Sequence, residues 1–284
     1  MHAAGWKTPL HTFAEDVKMP DVRIMTFNIR GAVYGSDGEN VWENRAMLNV
    51  DTIKKYSPDL IGFQELMTGN METYREHLTE YDHFMGPKYG NNPPHCYPTI
   101  FWSRSRWSVL NSGGFWLSTT PERHSGDWGT ACIRSAAWVK FRDMKSGFTM
   151  MHLNTHLDHG CELARVEGAK VILDQLRQLD CDNAPCVVTA DFNCSPQSDV
   201  YALFLDNGFG DTFLHAGNDD SDEAFTFHGF EGDRRSKRTR MDWILLRDEH
   251  NGATTRSCFI ARDQRPPLYP SDHYPVVADL GISP

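Results

Sequence analysis

Short apolar runs recur along this chain, and most of them stop or start on a carboxylate, an amide or an imidazole. VRIMTFNIR turns polar at Asn28, DLIGFQE at Glu65, FTMMHLNTH at His156, and PCVVTADFN at Asp191 and Asn193. RMDWILL carries Asp242 near its start, and Asp272 with His273 stands just before PVVADL. Runs of this kind, bounded by Gly, Pro, Asn and Ser, read as strands. Strand ends are where a rigid scaffold can hold polar groups around one pocket. Taken singly, each residue has a plainer explanation, because Asn and Asp also cap helices and stabilise turns. Their recurrence is the constraint: the fold must be one that can gather many strand ends.

Between these runs the pattern changes period. ENRAMLNVDTIKKY carries Met47, Val50 and Ile53 at helical spacing and ends before Ser57-Pro58, and METYREHL gives a second helix after the second strand. From about Thr99 to His156 the runs TIFWS, WSVL, GGFWLS, IRSAAWVKF and FTMMHLNTH suggest antiparallel strands. CELARVEGAKVILDQLRQL places Leu163, Val166, Ala169, Ile172, Leu176 and Leu179 close to a 3.6 period, so an amphipathic helix is expected there. QSDVYALFLDNG predicts a short helix, and FTFHGF one more strand. Alternating strands and helices followed by strand-rich segments suit an α/β layer structure. No repeat or long linker divides the chain, so residues 1–20 read as a polar leader and 21–284 as one domain.

Within this pattern HLNTHLDHG, His152 to Gly160, is the most polar strand candidate. At a two-residue period His152, Asn154, His156 and Asp158 share one face, while Leu153, Thr155 and Leu157 share the other. It could be a metal cluster, a catalytic strand end, or a structural polar stripe. His152 is expected to be a hydrogen-bonded core residue.

Bulk properties narrow the partners. The formal net charge is −10, which opposes close approach to a polyanion unless positive charge is concentrated locally. The seven cysteines are scattered singly without a CxxC pair, which fits a reduced compartment. The N-terminus lacks a basic start and an apolar core, and no apolar run approaches the ~18 residues of a membrane span. A cytoplasmic protein without membrane attachment is expected.

Glu and Asp supply hard oxygen ligands for Mg²⁺ or Mn²⁺, an amide oxygen can complete the shell, and histidines remain for proton transfer. That is equipment for hydrolysing a phosphate ester. The ordered set TFN, QE, NTHLDH, ADFN, RMDW and SDHYPV resembles the endonuclease/exonuclease/phosphatase superfamily, the group with the DNase I-like fold, from about Val22 to Leu280. GENVWENR, GGFWLSTTP and GDWGTACIRSAAW look most like its bacterial branch of metal-dependent phosphoesterases.

The resemblance implies a four-layer α/β/β/α sandwich with the site at one end of two sheets. It implies that Asn28 and Glu65 bind the metal and that Asp272 completes or neighbours its shell. It makes Asp191 and Asn193 the pair that positions the attacking water, His273 with Asp242 a dyad, and His156 a phosphate contact. Either Asp191 or His273 could be the general base. Arg134 falls where relatives place a phosphate-binding arginine, although an exposed edge-strand arginine is the plainer reading. Ala190 replaces the glycine usual before DFN, and Arg30 stands where some DNA-repair members carry an aspartate.

Several features stay open on sequence alone. Asp158 and His159 either touch substrate or metal or organise the turn before Cys161. The run DRRSKRTR, residues 233–240, is a solvated loop or a site for a second anionic group. The acidic stretch GNDDSDEA reads as a solvated turn, since its spacing matches no EF-hand. Trp42 and Trp128, in Gly-rich stretches, are candidates to line a pocket. The expected function is Mg²⁺- or Mn²⁺-dependent hydrolysis of a small phosphorylated metabolite. A nuclease of the same fold is the runner-up, and a non-catalytic binding protein is the alternative of another class.

Overall fold

The computed structural model describes residues 22–32, 35–179, 184–236, 238–250 and 252–282. The expected leader, 1–20, lies outside the described residues. In chain order the elements are β1 (Val22–Asn28), α1 (Trp42–Tyr56), β2 (Leu60–Leu66), α2 (Thr68–His77), β3 (Tyr81–Met85), β4 (Tyr97–Ser103), β5 (Trp107–Trp116), β6 (Ser135–Asp143) and β7 (Thr149–His156). There follow α3 (Glu162–Gln178), β8 (Cys186–Asp191), α4 (Asp199–Asp206), β9 (Gly210–Asp211), α5 (Thr212–His215), β10 (Asp242–Arg247), β11 (Ala253–Ile260) and β12 (Val276–Ile282).

The strands form two six-stranded mixed sheets, ordered β11-β12-β1-β2-β4-β3 and β5-β6-β7-β8-β10-β9. Each sheet has one parallel pair at its centre, β1 with β2 and β7 with β8, crossed by α1 and α3 respectively. Side-chain alternation then builds the layers. On β2, Ile61 and Phe63 pack outward with Trp42, Val50 and Ile53 of α1, while Leu60 packs inward. On β7 and β8, Leu153 and Val188 pack outward with Ile172 and Leu176 of α3, while Met150 and Val187 meet the other sheet. The result is a four-layer α/β/β/α sandwich of the DNase I-like kind.

The inner layer is not wholly apolar. Near one end of the sheets Asn154 donates to Phe63 O at 2.7 Å and Thr99 O at 3.2 Å across the sandwich, and its Oδ1 accepts from Gln64 at 2.7 Å. Thr189 bonds the same Oδ1 and also meets His152 Nε2 at 2.8 Å. Gly62 makes room for this seam, because a Cβ there would collide with Thr189 Oγ1 and lie 2.6 Å from Asn154 Oδ1. His152 is thus the core histidine expected.

Some local expectations change. WSVL and GGFWLS are one strand, β5, interrupted by a bulge between Val109 and Asn111. FTFHGF forms a single bridge, Phe227 to His273, because the amides of His228 and Gly229 both donate to Asp272 O. Met47 and Leu163 face solvent despite their helical spacing. Trp42 is no pocket residue: it starts α1, is buried, and donates to Thr73 Oγ1. Among the described residues no helix is long and apolar enough to cross a membrane.

Candidate active site

The two parallel pairs deliver their ends to the same mouth. Asn28 ends β1 and Glu65 lies one residue before the end of β2, while His156 and Asp191 end β7 and β8 and face each other in register. Antiparallel β10 sets Asp242 opposite Asp191. The loop before β12 brings Asp272 and His273, anchored by Ser271 Oγ, which donates to Asn28 O at 2.7 Å.

These groups touch. Asn28 Nδ2 donates to Asp191 Oδ2 at 2.9 Å and to Glu65 Oε1 at 3.3 Å. His156 Nε2 lies 2.8 Å from Asn193 Nδ2 and 3.2 Å from Asp191 Oδ2, while its Nδ1 meets the Tyr89 hydroxyl at 3.3 Å. His273 Nδ1 is 2.9 Å from Asp242 Oδ2, and its Nε2 is 3.7 Å from Asp191. Arg134 donates to His159 Nδ1 at 3.1 Å and stacks on the Tyr89 ring, so it is a cleft residue and not a solvated edge arginine.

The electrostatics follow from burial opposed by close charges. Burial disfavours the imidazolium of His273, yet Asp242 and Asp191 outweigh it and lift its pKa to about 10. Burial, reinforced by Arg134, lowers His156 despite Asp191. Burial works against ionising Asp191, but His156 and His273 hold it well below the usual carboxylate range. Glu65 is likewise lowered: burial opposes, and His156, Arg30 and His273 prevail. Asp272 is raised, by burial first and then by Glu65, in spite of His273 and Arg30. Asp242 is raised by burial, against His273, and its Oδ1 has no hydrogen-bond partner among the described residues.

Around these groups lies a cleft of about 470 Å³. Tyr89, Gly90, Pro94 and Cys96 wall one side together with Cys132, and Phe227 and Met241 also line it. The first wall is tied down, since Gly90 N donates to Ile133 O at 2.9 Å and Asn91 Nδ2 to Ala131 O at 3.1 Å. The backbone carries a mark of the site too. Six described non-glycine residues have left-handed φ, and three of them, Arg30, Glu65 and Asn193 at 52°, 60° and 52°, line the cleft. At Glu65 the cause is a bulge in the pairing with β4 between Phe63 and Leu66.

Residues 25–273 match the Endonuclease/Exonuclease/phosphatase family. The chain belongs to that family. The endonuclease/exonuclease/phosphatase of Bacteroides vulgatus is a similar structure, 30% identical, covering 92% of this chain and 99% of that one with a TM-score of 0.83. A mannosyl-6-phosphatase of Bacteroides thetaiotaomicron is 24% identical, covering 92% and 100%, also with a TM-score of 0.83. Rat nocturnin is 22% identical over 93% of this chain and 66% of its own length, so the chain spans just under two thirds of that relative. Members of the endonuclease/exonuclease/phosphatase family hydrolyse phosphoester bonds with divalent metals.

The donor chemistry at the mouth suits such an ion. Glu65, Asp191, Asp242 and Asp272 are four carboxylates packed together, and burial raises Asp242 and Asp272 even with His273 beside them. Hard oxygen donors of this kind fit Mg²⁺ or Mn²⁺. Asp191, Asp242 and His273 bring ligand-type atoms within 4.8 Å of one another. In that triad His273 already bonds Asp242 at 2.9 Å, and a His273 that is charged offers no lone pair.

The sequence residues that fall outside the cleft have definite jobs. Asp158 accepts from Thr130 Oγ1, Cys132 N, Gly160 N and Cys161 N, is held down near 2 despite its burial by those bonds, and does not line the cleft. It organises the turn, while its neighbour His159 reaches the cleft. Asn154, on the same face as His156, serves the seam and makes no bond to that imidazole among those described. Trp128 takes a left-handed φ and accepts from Cys161 Sγ through its carbonyl. In the basic run Arg235 pairs with Glu231, Arg238 with Glu223, and buried Arg240 with Asp211 and Asp220; Lys237 lies outside the described residues. Tyr89, Cys96, Cys132, Phe227 and Met241 line the cleft without having been singled out. Tyr89 sits in a Pro- and Asn-rich loop whose sequence signals only a turn.

Proposed function

We propose that the protein is a Mg²⁺- or Mn²⁺-dependent phosphoesterase acting on a small phosphorylated metabolite by direct attack of water. The observation that carries this reading is the cleft: about 470 Å³, walled on both sides, with Arg134 and His159 above a floor of carboxylates. That volume suits a metabolite-sized ligand. Pairing of Arg235, Arg238 and Arg240 of the basic run with Glu231, Glu223, Asp211 and Asp220 weakens the case for a long polyanion. The likeness to a mannosyl-6-phosphatase points the same way.

In this reading Asn28, Glu65 and Asp272 hold the ion. When bound, it neutralises phosphate charge and lowers the pKa of water. Asp191 and Asn193 orient the attacking water. His273 is charged through Asp242, so it steadies negative charge on the phosphate by hydrogen bonding. It carries its proton already, which leaves Asp191 to accept the proton of the water. His156 and Arg134 contact the phosphate, with His156 beside the leaving oxygen. The scattered cysteines suit a cytoplasmic setting.

A panel of sugar phosphates, other phosphomonoesters, phosphodiesters, RNA and DNA, assayed with Mg²⁺, Mn²⁺ and chelator, tests the reading. Metal-dependent release of phosphate from small monoesters is expected. Preferential cutting of nucleic acid would favour the nuclease alternative, and turnover undiminished in chelator would end the metal mechanism.

A further inference from the structure

Arg45, on α1, has no exposed surface and contacts four backbone carbonyls. Its Nε donates to Asn40 O at 2.7 Å, Nη1 to Ile29 O at 2.8 Å and Pro270 O at 3.0 Å, and Nη2 to Arg30 O at 2.6 Å. The guanidinium lies 5.0 Å from the Trp42 ring and 5.7 Å from that of Phe230. Among the described residues it makes no salt bridge with a carboxylate. Burying a charge without an ion pair is expensive, and an apolar side chain of similar volume would fill the space at lower cost. What the guanidinium does that no apolar residue can is bind several carbonyls at once in a fixed plane.

The segments it binds matter. Ile29 and Arg30 directly follow Asn28, and Pro270 precedes Asp272 by two residues. These segments belong to opposite ends of the chain. Asn49, one turn along α1, adds a bond to Pro270 O at 3.1 Å, and Tyr74 holds Asn49 at 2.7 Å. The positive charge also favours the ionised form of Asp272.

We propose that Arg45 is a positioning residue that sets divalent-cation affinity by locking the Asn28 and Asp272 segments at a fixed separation. The inference rests on the reading in which Asn28, Glu65 and Asp272 hold the ion. Lysine at this position keeps the charge but lacks the planar fork, so it cannot reach both segments together. Arg45→Lys is therefore expected to bind Mn²⁺ at least tenfold more weakly by calorimetry, with kcat largely recovered at saturating metal and substrate KM little changed. Glu65→Gln is the control for the underlying reading.

If Glu65→Gln binds Mn²⁺ like the unaltered protein, the proposed metal site is wrong. If Glu65→Gln loses binding while folded Arg45→Lys binds normally, the metal site stands and the role of Arg45 is overturned. A second measurement needs no substitution. In the unaltered protein, Mg²⁺ should shift the Arg45 Nε–H resonance and slow its exchange with water, and an unmoved, equally exchanging signal would refute the proposal even if Arg45→Lys failed to fold.

Discussion

His152 and His156 stand on the same face of β7, both buried, and burial lowers the pKa of each. Their surroundings differ. His152 lies in a seam of neutral groups, Thr189, Asn154 and Gln64, that largely satisfy one another between the sheets. His156 lies where Asp191, Glu65 and Arg134 press opposing charges on it. Two repeats of the pleat separate a polar cluster that holds the sandwich together from one that leaves its charge unbalanced. A buried histidine is assigned by the charges it faces, not by the run of sequence it sits in.

Substitutions at the two clusters should separate activity from stability. The largest effect is expected from Glu65→Gln, which removes an anionic ligand and should cut hydrolysis on the order of 10³-fold while thermal unfolding without metal changes little. An activity within tenfold of the unaltered protein would place the ion elsewhere. His273→Ala removes the charged hydrogen-bond donor and leaves Asp242 buried without its partner. A fall of about 10²-fold in kcat is expected in steady-state assays, here with metal binding retained.

The seam should behave in the opposite way. Asn154→Leu removes the side-chain donor to Phe63 O and Thr99 O and one acceptor of the Gln64 amide, so urea unfolding should show a loss of roughly 2–4 kcal/mol. The metal concentration for half-maximal activity should stay put; a change there would join the seam to the site. The smallest effect is at His152, whose pKa burial depresses from 6.5 to about 3. On acidification the unfolded chain takes up this proton near pH 6.5, whereas the native fold refuses it until about 3, so stability falls as the pH drops through that window. Comparing His152→Gln with the unaltered protein between pH 6.5 and 5 should show a shallower loss in the variant, by about 2 kcal/mol. Parallel curves would mean that His152 does not titrate as its burial implies.

Sequence made much of this visible, and the misses have physical reasons. Strand ends at Asn28, Glu65, His156, Asp191 and Asp242 were legible because a buried strand announces itself in apolar residues and its end in polar ones. The face shared by His152, Asn154 and His156 was legible, but periodicity cannot say whether a face meets solvent, a helix or another sheet. Asn154 shares a face with His156 in the sequence pattern, yet it is a clasp between sheets. Strands β3 and β11 were missed, since YDHFM and ATTRSCFI are edge strands that carry charge and polar residues. Arg45 left no signal at all, because an arginine in the first turn of an amphipathic helix reads as a solvent-facing charge. Tyr89 reaches the site only because its loop is stapled to residues 131–133, a contact between distant segments.

The sheet order has a consequence for how the chain folds. Among the described strands β1 is the earliest in sequence, but its neighbour on one side is β12, the latest, and the loop ahead of β12 carries Asp272 and His273. Until β12 pairs, β1 is open along one edge and Asp242 has no dyad. The pocket therefore closes through a contact between the two ends of the described chain, and any state in which β12 is detached also lacks the dyad.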